Sequence, residues 1–321
     1  MKNHLKNRTM NNKFRNIKLF SLMILTLSLT SCNDFFIQEL EIPRQELDNQ
    51  LVVHSFISDI DTSLHFKISK NFGLDETFPE MDSSINDATI KLFRQGELVY
   101  EVMQNENGDY TQALNQGLIP DYDYKIEVQH PDYDLAFAET KMPPLVMPES
   151  VTFKKNFGFP GPNGDEKQNA IEIVFNDPAD QVNYYEIQVH KILVESKEII
   201  VFGDTTLIVK TYPDRYFSID SNFEQGVSGF LLSDQNFNGE KYTIDFLLVS
   251  DQEIEVIPVD ALKITWNCIS KDHYEYSKSL LQYQRTSGFG LFSDPIAVYS
   301  NIQNGLGIFS ARSSRVIGME E

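Results

Sequence analysis

The chain has 321 residues, of which 27 are basic and 47 are acidic, so its formal net charge is −20. This balance argues against a nucleic-acid partner and against binding to anionic lipid through basic patches, because both need clustered Lys and Arg. Acidity of this kind more often keeps a protein soluble.

Residues 1–31 have the composition of an export signal. They contain no acidic residue and six basic ones, which are Lys2, Lys6, Arg8, Lys13, Arg15 and Lys18. An apolar run from Leu19 to Leu29 follows, and its length of about 11 residues is well short of the roughly 20 that a membrane-spanning helix needs. We therefore predict a signal peptide over residues 1–31 instead of a transmembrane anchor.

The export signal ends in Leu29-Thr30-Ser31-Cys32, which resembles the bacterial lipobox. In lipoproteins with this signal, the cysteine sulfur carries a diacylglycerol, the peptidase cuts before the cysteine, and the new amine is usually acylated as well. More than one acyl chain is needed, because a single chain holds a protein at a membrane only marginally. We predict lipid attachment at Cys32. The alternative is a plain secretory signal in which this cysteine has no role.

Removal of residues 1–31 would leave a mature chain of 290 residues with 21 basic and 47 acidic residues, a net charge of −26. This length suggests about two domains. Cys268 is then the one free thiol, so no intramolecular disulfide is expected. It ends the segment Leu262–Cys268, in which apolar residues fall on alternate positions. That pattern indicates a buried structural thiol instead of a reactive one.

The first part of the mature chain is predicted to be a tether followed by strands. Residues 32–49 are acidic and irregular, and we predict a tether there. Beyond them, apolar and polar residues alternate with the period of half-buried antiparallel strands, for example in Ser63–Ser69 and Tyr122–Gln129. Turn signals such as Asn107-Gly108 separate these segments. The pattern predicts an N-terminal β-sandwich over residues 50–142.

The second part begins at Met142–Pro148, whose three prolines cannot continue a central strand, and we place a domain boundary there. Residues 143–321 then form a C-terminal β-rich domain with further alternating segments. A hairpin is predicted around Gly203-Asp204, and the Gly- and Pro-rich stretch Phe157–Gly164 is predicted to be a flexible loop.

One helix is predicted near residues 272–285, because Tyr276, Leu280 and Tyr283 recur at helical spacing and Asp272 could cap it. The predicted fold class is therefore mainly β, with two tandem β-sandwich-like domains of the immunoglobulin or fibronectin-III kind and one helix in the C-terminal region.

No catalytic motif stands out. The sequence lacks G-x-S-x-G, a P-loop and a dinucleotide fingerprint. The histidines of the mature chain are scattered without metal-ligand spacing and are expected at the surface or as caps: His54, His65, His130, His190 and His273. We expect no enzyme, no catalytic residue and no cofactor. A glycosidase-type carboxylate pair stays open, because 47 acidic residues offer too many pairs to choose from.

One segment resembles a calcium loop. Asp234-Gln-Asn236-Phe-Asn238-Gly239 fits the first half of the pattern D-x-[DN]-x-[DN]-G, and Asp245 stands at the twelfth position in place of Glu. Both flanks look like strand, however, and Asn238-Gly239 is also an ordinary turn. The plain turn is favoured, and calcium binding by Asp234–Asp245 is the alternative.

The order of several short motifs resembles a known family. Together with the lipobox they are similar to the DUF4249 outer-membrane lipoproteins of Bacteroidota, and the resemblance extends over nearly the whole mature chain. The motifs are Leu51–Val53, Asp87–Leu92, Gly108–Tyr110, Phe175–Pro178 with Tyr184-Tyr185, Asn238-Gly239 with Tyr242, Tyr274–Tyr276, and Pro295 with Asn301–Phe309.

This resemblance implies a non-enzymatic, lipid-anchored protein of the outer membrane. Asn33-Asp34 after the cysteine partly resembles the acidic signal that sends such lipoproteins to the cell surface, so the surface face is favoured and the periplasmic face is the alternative. The expected partner is an outer-membrane β-barrel, most often a TonB-dependent transporter, for which the protein would aid ligand capture or gating. The first alternative is a subunit of an outer-membrane assembly or export complex, and the second is a surface hydrolase. The Gly- and aromatic-rich segments Gly288–Phe292 and Asn301–Phe309 could pack on the partner or inside the second domain.

Overall fold

A computed structural model of the chain describes residues 49–71, 84–161, 164–195, 208–212, 216–218, 220, 222–248, 262–286 and 296–319. The predicted signal peptide, Cys32 and nearly all of the predicted tether lie outside these residues.

The described residues form seventeen strands and one α-helix, which confirms the mainly β prediction. In chain order they are β1 (Leu51–Ser58), β2 (Ser63–Lys70), β3 (Thr89–Arg94), β4 (Glu97–Met103), β5 (Tyr110–Ala113), β6 (Asp123–His130), β7 (Tyr133–Lys141), β8 (Ser150–Gly161), β9 (Gly164–Asn176), β10 (Tyr184–Glu195), β11 (Ile208–Tyr212), β12 (Tyr216–Ser218), β13 (Phe223–Gln225), β14 (Phe230–Ser233), β15 (Lys241–Leu248), β16 (Leu262–Ile269), α1 (Lys271–Thr286) and β17 (Gly305–Gly318).

The strands form one long sheet and two short ones. The long sheet has nine strands in the order β13-β14-β10-β16-β17-β1-β2-β5, with β11 also paired to β10. The short sheets have four strands each, in the orders β12-β15-β9-β8 and β4-β3-β6-β7.

Each short sheet packs on one half of the long sheet, because every second residue of these strands is apolar. The sheet β4-β3-β6-β7 shares a buried core with β1, β2, β5 and β17, in which Leu51, Val53 and Tyr124 are fully buried. The sheet that contains β8, β9 and β15 shares a second core with β10, β14 and β16, around Phe175 and Trp266. This is a sandwich-like arrangement of two cores under one sheet.

Strand β17 joins the two halves. Its residues Arg312–Gly318 pair antiparallel with β16, and its residues Gly305–Arg312 pair in parallel with β1. Residues Leu47–Glu321 form one compact unit. The segment Met142–Pro148 lies outside strands, as predicted. Strands that precede this segment in the chain and strands that follow it nevertheless belong to the same long sheet. The division into two separate domains stays a prediction.

The parallel pairing explains the glycines of the segment Asn301–Phe309. Gly307 has φ +107° and stands opposite Val53, and a Cβ atom there would lie 2.0 Å from the Val53 carbonyl oxygen. Gly305–Phe309 therefore pack inside the protein, but against β1 and the first core instead of inside the second domain. Gly288–Phe292 lies outside the described residues.

Three further predictions have clear outcomes. The prediction of a flexible loop over Phe157–Gly164 is wrong, because β8 and β9 continue as a hairpin that pairs Phe157 with Gln168 and Gly161 with Gly164. Of the hairpin predicted over Glu198–Tyr212 around Gly203-Asp204, the structure describes β11, which pairs antiparallel with the end of β10, while the predicted first strand lies outside the described residues. The predicted helix is confirmed, with one more residue at each end.

The cap of α1 differs from the prediction. Ser270 supplies the capping oxygen, because its Oγ accepts the N–H of His273 at 3.3 Å and its carbonyl accepts the N–H of Tyr274. Asp272 lies in the first turn instead, where a carboxylate also favours the helix. Among the described residues, no helix is both long and apolar enough to cross a membrane.

The close approach of β17 to β1 predicts a large effect of a single methyl group. Gly307→Ala should lower the free energy of unfolding by about 2–4 kcal/mol, because it adds a backbone clash to a positive φ. Gly117→Ala is the matched control, since a Cβ at that exposed position meets no atom within 4 Å. Its effect should stay within about 0.5 kcal/mol in the same denaturant titration. Equal effects of the two substitutions would contradict the pairing.

Candidate functional site

The face of the long sheet that points away from the two cores carries buried polar side chains. Side chains alternate along a strand, so Glu186 of β10 and Asn267 of β16 lie opposite to their apolar neighbours. Helix α1 covers this face. Its His273 packs edge-on against Phe56 of β1 at 5.4 Å, and its Tyr274 lies 4.8 Å from the Tyr184 ring. A face that alternation alone assigns to solvent is therefore buried.

A hydrogen-bonded row crosses four neighbouring strands on this face. Ser58 Oγ of β1 donates to Ser314 Oγ of β17 at 3.2 Å, and Ser314 Oγ donates to Asn267 Oδ1 of β16 at 2.6 Å. Asn267 Nδ2 then donates to Glu186 Oε2 of β10 at 3.3 Å. We call these four residues the polar row. All four are buried, with at most 1% of each residue exposed.

The charge of Glu186 is the main electrostatic feature of the row. Burial raises the pKa of its carboxyl, but contact with His273 and the positive charge of Arg312 outweigh burial and hold the pKa below its ordinary value. Nε2 of His273 lies 3.8 Å from Oε1 of Glu186, which is an ion-pair distance and too long for a hydrogen bond. Gln188 Nε2 donates to Oε2 at 3.0 Å. Glu186 is thus held as a buried carboxylate between these groups.

The order Ser310, His273, Glu186 invites comparison with a serine-hydrolase triad. Ser310 Oγ lies 3.5 Å from His273 Nδ1, and His273 Nε2 lies 3.8 Å from Glu186. Both distances exceed those of an assembled triad, and Ser310 is fully buried in the sheet. A substrate carbonyl has no access to this serine, so the arrangement is best explained as packing of α1 on the sheet.

A cleft of about 420 Å³ lies beside the start of α1 and bears on the hydrolase alternative. Three carboxylates line it, those of Asp123, Glu139 and Asp272. Asp272 accepts hydrogen bonds from Tyr299 Oη at 2.7 Å and Thr140 Oγ1 at 3.2 Å. Asp123 and Glu139 are exposed and stand opposite Lys141 and Lys125 across the strand pair. Such cross-strand pairs are ordinary surface features, and they give a glycosidase mechanism no specific support.

Two of the five histidines singled out in the sequence, His54 and His273, lie where α1 packs on this face, and the His54 ring centre is 6.1 Å from that of Tyr276 in α1. Cys268 faces the second core, where burial raises its pKa to about 12 and its Sγ accepts the Val146 N–H at 3.2 Å, so the predicted burial of this thiol is confirmed. His273 was expected at the surface or as a cap, and that prediction is wrong because its side chain is buried against Glu186 and Phe56.

The Asn238-Gly239 turn is confirmed, with Gly239 at φ +78°. The calcium-loop ligands do not converge as the motif requires. Asp234 Oδ2 turns inward to accept the Asn183 N–H, while Asn236 Nδ2 donates outward to Asn222, and Asp245 lies within β15 opposite Glu172. In the part of the chain that is described, no group of three or more His, Cys, Asp or Glu side chains could hold a metal ion.

Comparison with known proteins agrees with the sequence motifs. A family model described as a domain of unknown function, DUF4249, matches residues 37–316. The chain belongs to the DUF4249 family. Searches of the curated proteins and of the solved structures found no match. The DUF4249 match therefore covers both halves of the long sheet, including β1 and nearly all of β17.

Removal of the Glu186 charge should weaken the fold strongly. Glu186→Gln keeps the shape but leaves His273 and Arg312 without their anionic partner, so the free energy of unfolding should fall by about 3 kcal/mol or more. The control is Glu127→Gln, which breaks an ion pair with Lys125 at 2.9 Å on the surface and should cost less than about 1 kcal/mol.

The same pair of proteins gives a pH test. Because the folded-state pKa of Glu186 is depressed, its stabilisation is present above the unfolded pKa and is lost as pH falls through the folded pKa. The ordinary pKa of the Glu186 carboxyl is 4.5. As the pH falls below that value, the melting temperature of the wild type should therefore decrease faster than that of Glu186→Gln. Parallel loss in both proteins would show that Glu186 is not held as a carboxylate.

Proposed function

We propose that this DUF4249 protein is a lipid-anchored accessory protein of the outer membrane. It faces the cell surface, has no enzymatic activity of its own, and docks on a β-barrel partner, a TonB-dependent transporter, to aid ligand capture or gating. The observation that carries this proposal is the segment Leu29–Cys32 at the end of a basic and then apolar leader.

The fold suits an anchored protein. The tether of residues 32–49 leads directly into β1, and 18 residues can span at most about 60 Å when fully extended. Strand β1 is paired on both sides, with β2 and with β17. A pull on the tether is therefore resisted by two hydrogen-bonded ladders at once, whereas an edge strand could be peeled away one bond at a time.

The outer face of the sheet β4-β3-β6-β7 supports docking. Leu98 and Met103 are 50% and 65% exposed, and both project from the face opposite to the first core. On the same face, the Lys125 ammonium lies 5.9 Å from the centre of the Phe93 ring and 5.5 Å from that of Phe137. Exposed apolar side chains grouped on one face are typical of interaction surfaces. We call this face the outer N-terminal face.

The anchor is tested with the two cysteines of the chain. Cys32→Ser should move the protein from the membrane fraction to the soluble fraction and abolish labelling with radioactive palmitate, because the lipid attachment atom is lost. Cys268→Ala is the matched control, and it should stay in the membrane with its label intact. A Cys32→Ser protein that remains membrane-bound and labelled would refute lipid attachment at this residue.

Docking is tested by co-purification from detergent-solubilised outer membranes. The wild type should recover a TonB-dependent transporter, and the double substitution Leu98→Asp, Met103→Asp should reduce recovery at least tenfold by placing two charges in an apolar contact. Val182→Asp is the control, since Val182 is 61% exposed but lies in a loop of the other half. Recovery of an assembly factor would favour the alternative function, and recovery of no barrel protein would contradict docking.

A further inference from the structure

The first and the last described strands run side by side in the same direction. Strand β1 pairs with β17 over eight residue pairs, from Leu51 with Gly305 to Ser58 with Arg312. Strand β17 then continues past the end of β1 and pairs with β16 up to Gly318. The tether joins β1 at its first residue, so a pull between the tether and the far end of β17 is directed along both strands.

The direction of a pull decides how many hydrogen bonds resist it. A pull along two paired strands loads the whole ladder in shear, so that its bonds must break together. A pull across the strands at one end breaks the same bonds one after another. A single backbone hydrogen bond contributes little net stability, so resistance depends on loading many of them at once. The parallel register of β1 and β17 gives shear to a pull that arrives along the tether.

Both strands of this pair are also bonded on their other sides. Strand β2 pairs antiparallel with Leu51–His54 of β1. Beside β17, the side chain of Asn301 takes the place of a strand, because its Oδ1 accepts the Phe309 N–H at 3.0 Å and its Nδ2 donates to the Phe309 carbonyl at 2.8 Å. The Ser270 N–H donates to the next carbonyl on that side, that of Ala311, at 2.9 Å. Neither strand therefore presents a free edge from which it could be peeled.

Water has little access to the ladder. On the side of the first core, Leu51, Val53 and Ile57 of β1 are at most 1% exposed. On the side of α1, Ile308 and Ser310 of β17 are fully buried. Hydrogen bonds in such surroundings are stronger than exposed ones, and water cannot readily replace a bond that opens.

We propose that β1 and β17 form a load-bearing clamp, which keeps the protein folded when the membrane anchor and a bound partner pull in opposite directions. The load comes from the proposed anchor and docking, so the use of the clamp in the cell rests on them. The clamp gives β17 a mechanical role besides its role in joining the two cores. It also gives the parallel pairing of the first and last strands a purpose that stability alone does not require.

Single-molecule force measurements on the purified full-length protein test the clamp. Handles attached at Asn49→Cys and Glu321→Cys load the ladder in shear. Handles attached at Asn49→Cys and Gln303→Cys load the same ladder across the strands from one end. Asn49 and Gln303 are exposed, and Cys268 stays in place because it is buried. The unfolding force should be at least about twofold higher in the first geometry, because the evenly spaced bonds of the parallel pair must yield together.

Gly307→Ala tests the part that β17 plays. A Cβ at this position meets the Val53 carbonyl oxygen and forces the two strands apart, so the force in the first geometry should fall toward that in the second. Gly117→Ala, where a Cβ meets no atom within 4 Å, should leave both forces unchanged.

Equal forces in the two geometries of the wild type would overturn the clamp, even if Gly307→Ala fails to fold. An unchanged force of folded Gly307→Ala in the first geometry would also overturn it, because the resistance would then come from other strands. The measurement needs neither a membrane nor a partner. A negative result would therefore leave the anchor and the docking intact, and failure of co-purification would leave the measured forces as they are.

Discussion

The structure depends on the position of β17 between β1 and β16. The last strand of the chain pairs with the first, so the two cores share one sheet and neither half of that sheet is complete without the C-terminus. Gly307 permits the approach, because any side chain there would clash with the Val53 carbonyl. Beyond the end of β1, the Asp59 carboxylate bonds to the same side of β17. It accepts hydrogen bonds from the Ser314 N–H at 2.8 Å and from the Arg315 guanidinium at 2.7 Å. Long-range pairing of this kind is slow to form, because the entropy of closing a long loop is lost before the contacts are made.

The polar row gives this sheet a definite register. A slip of one residue would turn Glu186 and Asn267 toward the apolar second core and would expose their apolar neighbours, at a cost of several unsatisfied polar groups. Helix α1 then covers the row and brings His273 to Glu186. The charged groups under the helix are therefore explained by register and docking of α1, which are structural roles. The outer N-terminal face, which we propose as the docking surface, carries the exposed Leu98 and Met103 beside the half-buried Phe93, Lys125 and Phe137.

Local patterns in the sequence predict local structure well. Alternation predicted β2, β6 and β16, and helical spacing predicted α1 to within one residue at each end. Pairing between distant segments leaves no such pattern, so the parallel partner of β1 was missed. The buried position of His273 was missed for a related reason: alternation separates two faces of a strand but does not say that a helix covers the polar one. The strand over Phe157–Gly161 was missed for a different reason, because its glycines and prolines are typical of a loop. Among candidate sites, the calcium motif is visible in the sequence, but the directions of its side chains depend on the fold, which turns Asp234 inward and Asn236 outward.

The central claim is that the outer N-terminal face docks on an outer-membrane barrel while lipid on Cys32 holds the protein there. Lysine cross-linking in intact cells tests it most directly, because Lys91 and Lys125 lie on that face and Lys263 and Lys271 lie on other strands and the helix. The account predicts that Lys91 and Lys125 form cross-links to a TonB-dependent transporter and that Lys263 and Lys271 do not. Cross-links to a barrel from Lys263 and Lys271 alone, or to no barrel at all, would contradict it.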